Sequence, residues 1–156
     1  MNKFVFAATI AAASTLSIAA MAQDYSLSPT YGQTSLTNGF TPDPHTVSIT
    51  AGGSIDASTS GALSGRGCVG NIANAPDYRL NYTAGSWPLI FRVVSDTDTT
   101  LVINGPDGSW TCIDDVEGFN PVVRFATPAS GQYDVWVGTY GDAMGASTLH
   151  ITELSN

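Results

Sequence analysis

After its first 22 residues the chain alternates apolar and polar positions in short runs, broken by Gly, Pro, Asn and Asp. Residues 46–50 (TVSIT) put Val47 and Ile49 on one side of an extended chain, and residues 77–83 (DYRLNYT) do the same with Tyr78, Leu80 and Tyr82. Residues 89–95 are apolar on both faces except at Arg92, and residues 99–104 (TTLVIN) are similar, as expected of strands inside a sandwich. Residues 110–113, 122–126 (VVRFA), 133–139 (YDVWVGT) and 147–153 (STLHITE) predict four further strands. Turn chemistry separates them: Ala51-Gly52-Gly53 with a short return over 54–57, Gly105-Pro106-Asp107-Gly108, Pro128-Ala129-Ser130-Gly131, and residues 141–145. Strands at roughly eight- to twelve-residue spacing, with no helical period among them, predict an all-β antiparallel β-sandwich, jelly-roll-like.

The two ends of the pattern differ from the middle. Lys3, an apolar run over 4–20 and the small-x-small sequence Ala20-Met21-Ala22 predict a signal peptide over residues 1–22, cut after Ala22. The expected location is secreted or periplasmic, of bacterial type, with no membrane span after signal cleavage. Residues 23–45 carry Pro29, Pro42, Pro44 and Asn38-Gly39, which disfavour continuous regular structure. Tyr31, Leu36 and Phe40 within them predict an ordered N-terminal arm leading into a sandwich domain over 46–156. Residues 58–67 (STSGALSGRG) are small and polar and predict a surface loop.

Charge narrows the partners. The chain has 5 Lys and Arg against 13 Asp and Glu, a net charge of −8, and loss of Lys3 with the leader makes it one unit more negative. That balance opposes nucleic-acid binding and an electrostatic grip on anionic membranes. The two cysteines, Cys68 and Cys112, reach an oxidising compartment behind a signal peptide and are expected to form one disulfide. Two Cys and two His are too few for a closed zinc site.

The second half of the chain also carries a family outline. SDTDTTLVINGPDG, an acidic loop, then FATPASGQYDVWVGTYG and TLHITE resemble the bacterial pre-peptidase C-terminal (PPC) domain across residues 89–153. The most specific segment is 128–137; the departure is Thr99-Thr100 between Asp98 and Leu101, where the family runs directly from Asp-x-Asp to Leu. The whole chain is similar to small secreted bacterial proteins of unknown function that share the GF-x-PDP lead-in at 39–44, the AGG turn and the two-cysteine frame, and whose names often carry a serine-peptidase label. The resemblance implies a jelly-roll-like sandwich in an accessory role beside secreted enzymes or surfaces. It brings no catalytic residues.

The residues themselves offer three chemistries. A trypsin-like serine peptidase needs Gly-Asp-Ser-Gly-Gly, but Ala143 stands at the nucleophile position of residues 141–145, and neither His45 nor His150 has a peptidase context. There is no G-x-S-x-G elbow either. The expectation is therefore a non-catalytic binding module for a glycan or protein partner, with a secreted hydrolase and a structural envelope or matrix component as alternatives. Asp96 and Asp98, two apart, point the same way on an extended strand, and Asp114, Asp115 and Glu117 follow the next hairpin. With Asn104 and Asn120 they offer oxygens to a calcium ion, the one cofactor the sequence suggests. The competing reading of these acids is solvated loop ends. Trp136 falls on the second face of its strand and, with Trp110 or Tyr140, would stack on a sugar ring or anchor a protein; ordinary packing of that face is the alternative.

Overall fold

The computed structural model describes residues 23–155, and the expected signal peptide lies outside them. Their strands are β1 (Gln33–Thr37), β2 (His45–Ala51), β3 (Ile55–Asp56), β4 (Asn71–Ile72), β5 (Tyr78–Thr83), β6 (Leu89–Ser95), β7 (Thr99–Asn104), β8 (Trp110–Ile113), β9 (Val122–Phe125), β10 (Gly131–Thr139) and β11 (Gly145–Thr152). A single 3-10 turn, Gly61–Leu63, accompanies them. They form a sheet of 4 strands in the order β2-β11-β6-β9, and a sheet of 7 strands in which β10 lies between β5 and β7, and β7 pairs with β8.

This is a jelly roll. Taken in chain order, β2 and β5 to β11 make eight strands that divide between the sheets as first-eighth-third-sixth and second-seventh-fourth-fifth, the strand order of two interlocked Greek keys. All of these neighbours are antiparallel. Alternation explains the core: Leu89, Phe91 and Val93 of β6 and Leu149 and Ile151 of β11 meet Leu80, Leu101, Ile103, Tyr133, Val135 and Val137 of the other sheet, all fully buried or nearly so. Phe91, Phe125 and Tyr133 pack edge-to-face and tilted at centroid distances of 5.4–6.1 Å. Such aromatic pairs add about 1 kcal/mol each beyond the area they bury.

Three features extend the expected pattern. The N-terminal arm contains a strand: β1 runs parallel to β5 from Gln33 opposite Arg79 to Thr37 opposite Thr83. Its far end is fastened to the C-terminus by Glu153, whose carboxylate accepts hydrogen bonds from Tyr82 Oη (2.5 Å), Asn38 Nδ2 (2.7 Å) and the Gly39 amide (2.7 Å). Second, β10 is longer than β5, and its end is partnered by β4, which carries β3.

The third feature corrects the reading of residues 58–67. They are not simply a surface loop, because Leu63 is buried there with Ala57, Cys68 and Ile72 against Val102 and Trp136. These side chains form a second apolar cluster on the outer face of the large sheet. That cover explains why every residue of β7 is buried although alternate side chains point away from the main core. Cys68 and Cys112 close a disulfide across this layer, with Cα atoms 5.2 Å apart.

Candidate functional site

The bend from β6 to β7 carries the chain from one sheet to the other, with the Ser95 hydroxyl accepting the Thr97 amide at 3.0 Å. Asp98 follows that bend. Its carbonyl accepts the Tyr140 amide at 3.0 Å, and the next amide, of Thr99, donates to the Phe119 carbonyl at 3.1 Å. Asp98 is thus held between the loop after β8 and the loop after β10. At the end of β8, Asp114 and Asp115 come to the same place, and carboxylate oxygens of Asp98, Asp114 and Asp115 all lie within 4.8 Å of one another.

The electrostatics of this trio are unusual. Asp98 Oδ1 and Asp114 Oδ1 are both buried and have no hydrogen-bond partner. Burial pushes both carboxyls above their ordinary range, and repulsion from neighbouring carboxylates adds to it: Asp115 acts on Asp98, and Asp115 and Asp98 act on Asp114. Converging carboxylates with orphaned oxygens are the donor set of a hard divalent cation, which also takes backbone carbonyls and water.

The other acids of the expected calcium group do not join it. Asp96 is exposed on the bend, beside a shallow surface hollow lined by Tyr31, Ser48 and Thr148. The two-residue alternation linking Asp96 to Asp98 requires a continuing strand, and β6 ends at Ser95. Glu117 is drawn away by Arg92, at 3.1 Å. Asn120 Oδ1 accepts the Ser95 amide at 3.0 Å, and Asn104 sits at the far end of β7, donating to the Gly108 and Ser109 carbonyls.

The expected aromatic platform is also corrected. Trp136 is on the outer face of β10, as alternation requires, but it is fully buried. The second cluster covers it, Trp110 packs on it at a centroid distance of 5.3 Å, and its indole N–H donates to the Asn74 carbonyl. It is core, and unavailable to a ligand. Trp110 is partly exposed, at the start of β8. Tyr140 is 65% exposed and stands beside Asp98, at the other end of the same hairpin. The two rings therefore belong to separate surfaces. Two side chains missed in the sequence flank them: Phe119 at the acidic end, and Tyr25, whose ring centre is 6.4 Å from that of Trp110. Tyr25 lies in the proline-broken arm, where no periodicity marks it.

His45 is engaged within the sandwich, and His150 lies on the outer face of the small sheet. His45 Nε2 is 3.0 Å from Tyr78 Oη, and burial holds His45 below its ordinary value. His150, opposite Arg92 in the register of β11 and β6, is lowered by burial and by that charge. No family model matches this chain, and no curated protein matches its sequence.

Proposed function

We propose that this chain is a secreted, non-catalytic accessory module of the pre-peptidase C-terminal type, which binds an extracellular surface and takes a calcium ion at Asp98, Asp114 and Asp115. The observation that carries the metal is the pair of buried, unpartnered oxygens, Asp98 Oδ1 and Asp114 Oδ1, converging with Asp115. Like charges left together in this way oppose folding, and a divalent cation reverses the sign of the interaction. The calcium ion would cross-link the β6–β7 bend to the end of β8 and stiffen the rim that displays Phe119 and Tyr140. An accessory role is supported by the disulfide, by the acidic surface and by the engagement of His45 with Tyr78 rather than with a serine hydroxyl.

Thermal unfolding in calcium and in chelator tests this reading. Binding of calcium to the native state alone raises the midpoint by several degrees, since saturation at about 100 times Kd contributes about 2.7 kcal/mol. The Asp98→Asn/Asp114→Asn variant loses that response, and its midpoint in chelator is at least that of the unaltered chain because the repulsion has gone. Equal midpoints in calcium and chelator for the unaltered chain would remove the metal from the proposal.

A further inference from the structure

We propose that the groove at the opposite end of the β7–β8 hairpin, between Tyr25, Trp110 and Gln132, binds a neutral saccharide. The inference rests on reading the chain as a binding module; it does not require the acidic rim.

The groove is open and has a volume of about 700 Å³, within the range of small-molecule clefts. The Gly105–Gly108 turn and Ser130-Gly131 form one side, and the start of the N-terminal arm forms the other. Its aromatic lining is held in place. Trp110 is backed by the buried Trp136 at 5.3 Å, while Tyr25 stands at 59° to it and is 53% exposed. Arg79 Nη2 fixes the wall that carries Tyr25 by donating to the Tyr25 carbonyl (2.5 Å) and the Leu27 carbonyl (3.1 Å). A rigid indole face meeting a tilted phenol presents a flat apolar platform beside a hydroxyl, which suits the C–H face of a pyranose ring.

The polar lining matches hydroxyl groups. Asp134 is buried, with Oδ1 on Arg79 Nε at 2.6 Å and Oδ2 accepting Gln132 Nε2 at 2.7 Å. Gln132 is itself exposed, and its amide oxygen remains an acceptor. Gln23 lines the same groove and is 6% exposed, its Oε1 accepting the Ser60 hydroxyl at 2.6 Å. Charge selects among sugars. Arg79, the cation behind the groove, is already committed to Asp134 and two carbonyls, and the chain carries a net charge of −8. That combination repels uronic and sulfated saccharides and leaves neutral ones.

The test is a tryptophan-fluorescence and calorimetric titration of the chain, purified from the periplasm or medium of an expressing host. The probes are cellohexaose, maltohexaose, xylohexaose and, as the acidic comparison, oligogalacturonate. Saturable binding of at least one neutral hexaose is expected. The affinity falls about tenfold or more in Tyr25→Ala and in Gln132→Ala, whose exposed side chains can be removed with the fold intact by circular dichroism. Trp110→Ala abolishes it, and Tyr140→Ala and chelator leave it unchanged. The proposal is overturned if no neutral hexaose binds the folded chain, if binding survives both Tyr25→Ala and Gln132→Ala, or if oligogalacturonate binds more tightly than every neutral probe. A calcium response without saccharide binding sinks this inference and spares the metal site; the reverse result does the opposite.

Discussion

Asp77 shows at the scale of one residue how the fold holds a buried carboxyl group where the sheet changes partners. It precedes β5, its amide donates to the Val135 carbonyl at 2.8 Å, and its Oδ2 accepts the Val137 amide at 2.7 Å. It thus bridges the stretch of β10 between the end of its pairing with β5, at Val135, and its pairing with β4, at Thr139. Burial pushes its carboxyl up to about 7 although the Val137 N–H favours the charged form. The native state therefore holds the proton more tightly than the unfolded chain. Its contribution to stability is fully present below the unfolded value near 3.8, and is lost as pH rises through about 7. The whole effect is roughly 4 kcal/mol at most. Urea unfolding at about pH 5 and about pH 8 checks this: the unaltered chain is less stable at the higher pH, and Asp77→Asn, whose amide oxygen still accepts from Val137, loses most of the difference. An unchanged pH dependence in that variant would assign the effect elsewhere. Alternation put Asp77 at the start of the expected strand 77–83 but gave no sign of its burial, and the strand itself begins at Tyr78. The same alternation placed Trp136 on the correct face but left its environment open between an exposed platform and ordinary packing, because what covers that face is Leu63, in a segment whose composition reads as solvent-exposed.

At the scale of elements, the small outer strands depend on close backbone approach as well as on the packing of Ile55 and Ile72. Gly53 lies between β2 and β3 where a Cβ would stand 2.1 Å from the carbonyl carbon of Ile72 and 2.3 Å from the amide nitrogen of Ala73. Those are main-chain atoms of β4 and its exit, so no rotamer change can relieve the overlap. Gly53→Ala is expected to cost about 1–3 kcal/mol, in the manner of overpacking, and to raise hydrogen exchange first in β3 and β4. Protection lost uniformly across both sheets would argue that β3 and β4 are integral to the main core. The eight jelly-roll strands were legible because each is four or more residues long and most alternate strongly. β3 falls within the short return expected over 54–57, whereas β4 has two residues, too few to show a period. β1 (QTSLT) has Leu36 as its sole large apolar side chain, and its pairing with β5 is a long-range fact that no local pattern encodes. The acidic trio was partly legible for the same reason: Asp114 and Asp115 end one strand and Asp98 precedes its hairpin partner, whereas Asp96 was included only by extending β6 past its end.

At the scale of the whole molecule, the disulfide joins these layers to both candidate surfaces. Cys112 is in β8, two residues after Trp110 in the groove and two before Asp114 at the acidic rim. Its partner Cys68 belongs to the covering segment that buries Trp136 and, through it, backs Trp110. The sequence separation is 44, and closing a loop of that length stabilises the fold by about 4 kcal/mol in the chain-entropy model. Cys68→Ser/Cys112→Ser is therefore expected to unfold at lower denaturant by about that amount. The inter-sheet core lacks cysteine, so the variant keeps its jelly roll and its β circular dichroism below the midpoint. The loss concentrates in the outer layer: amides over 55–73 exchange faster, and tryptophan emission shifts to the red as Trp136 becomes hydrated. Because β8 then loses its tether between the two surfaces, the calcium-induced rise in midpoint and the affinity for a neutral hexaose fall together. A variant that loses stability while keeping both responses would show that β8 is fixed by its pairing with β7 alone, Leu101 to Asn104 against Ile113 to Trp110, and that the disulfide serves only to hold down the cover.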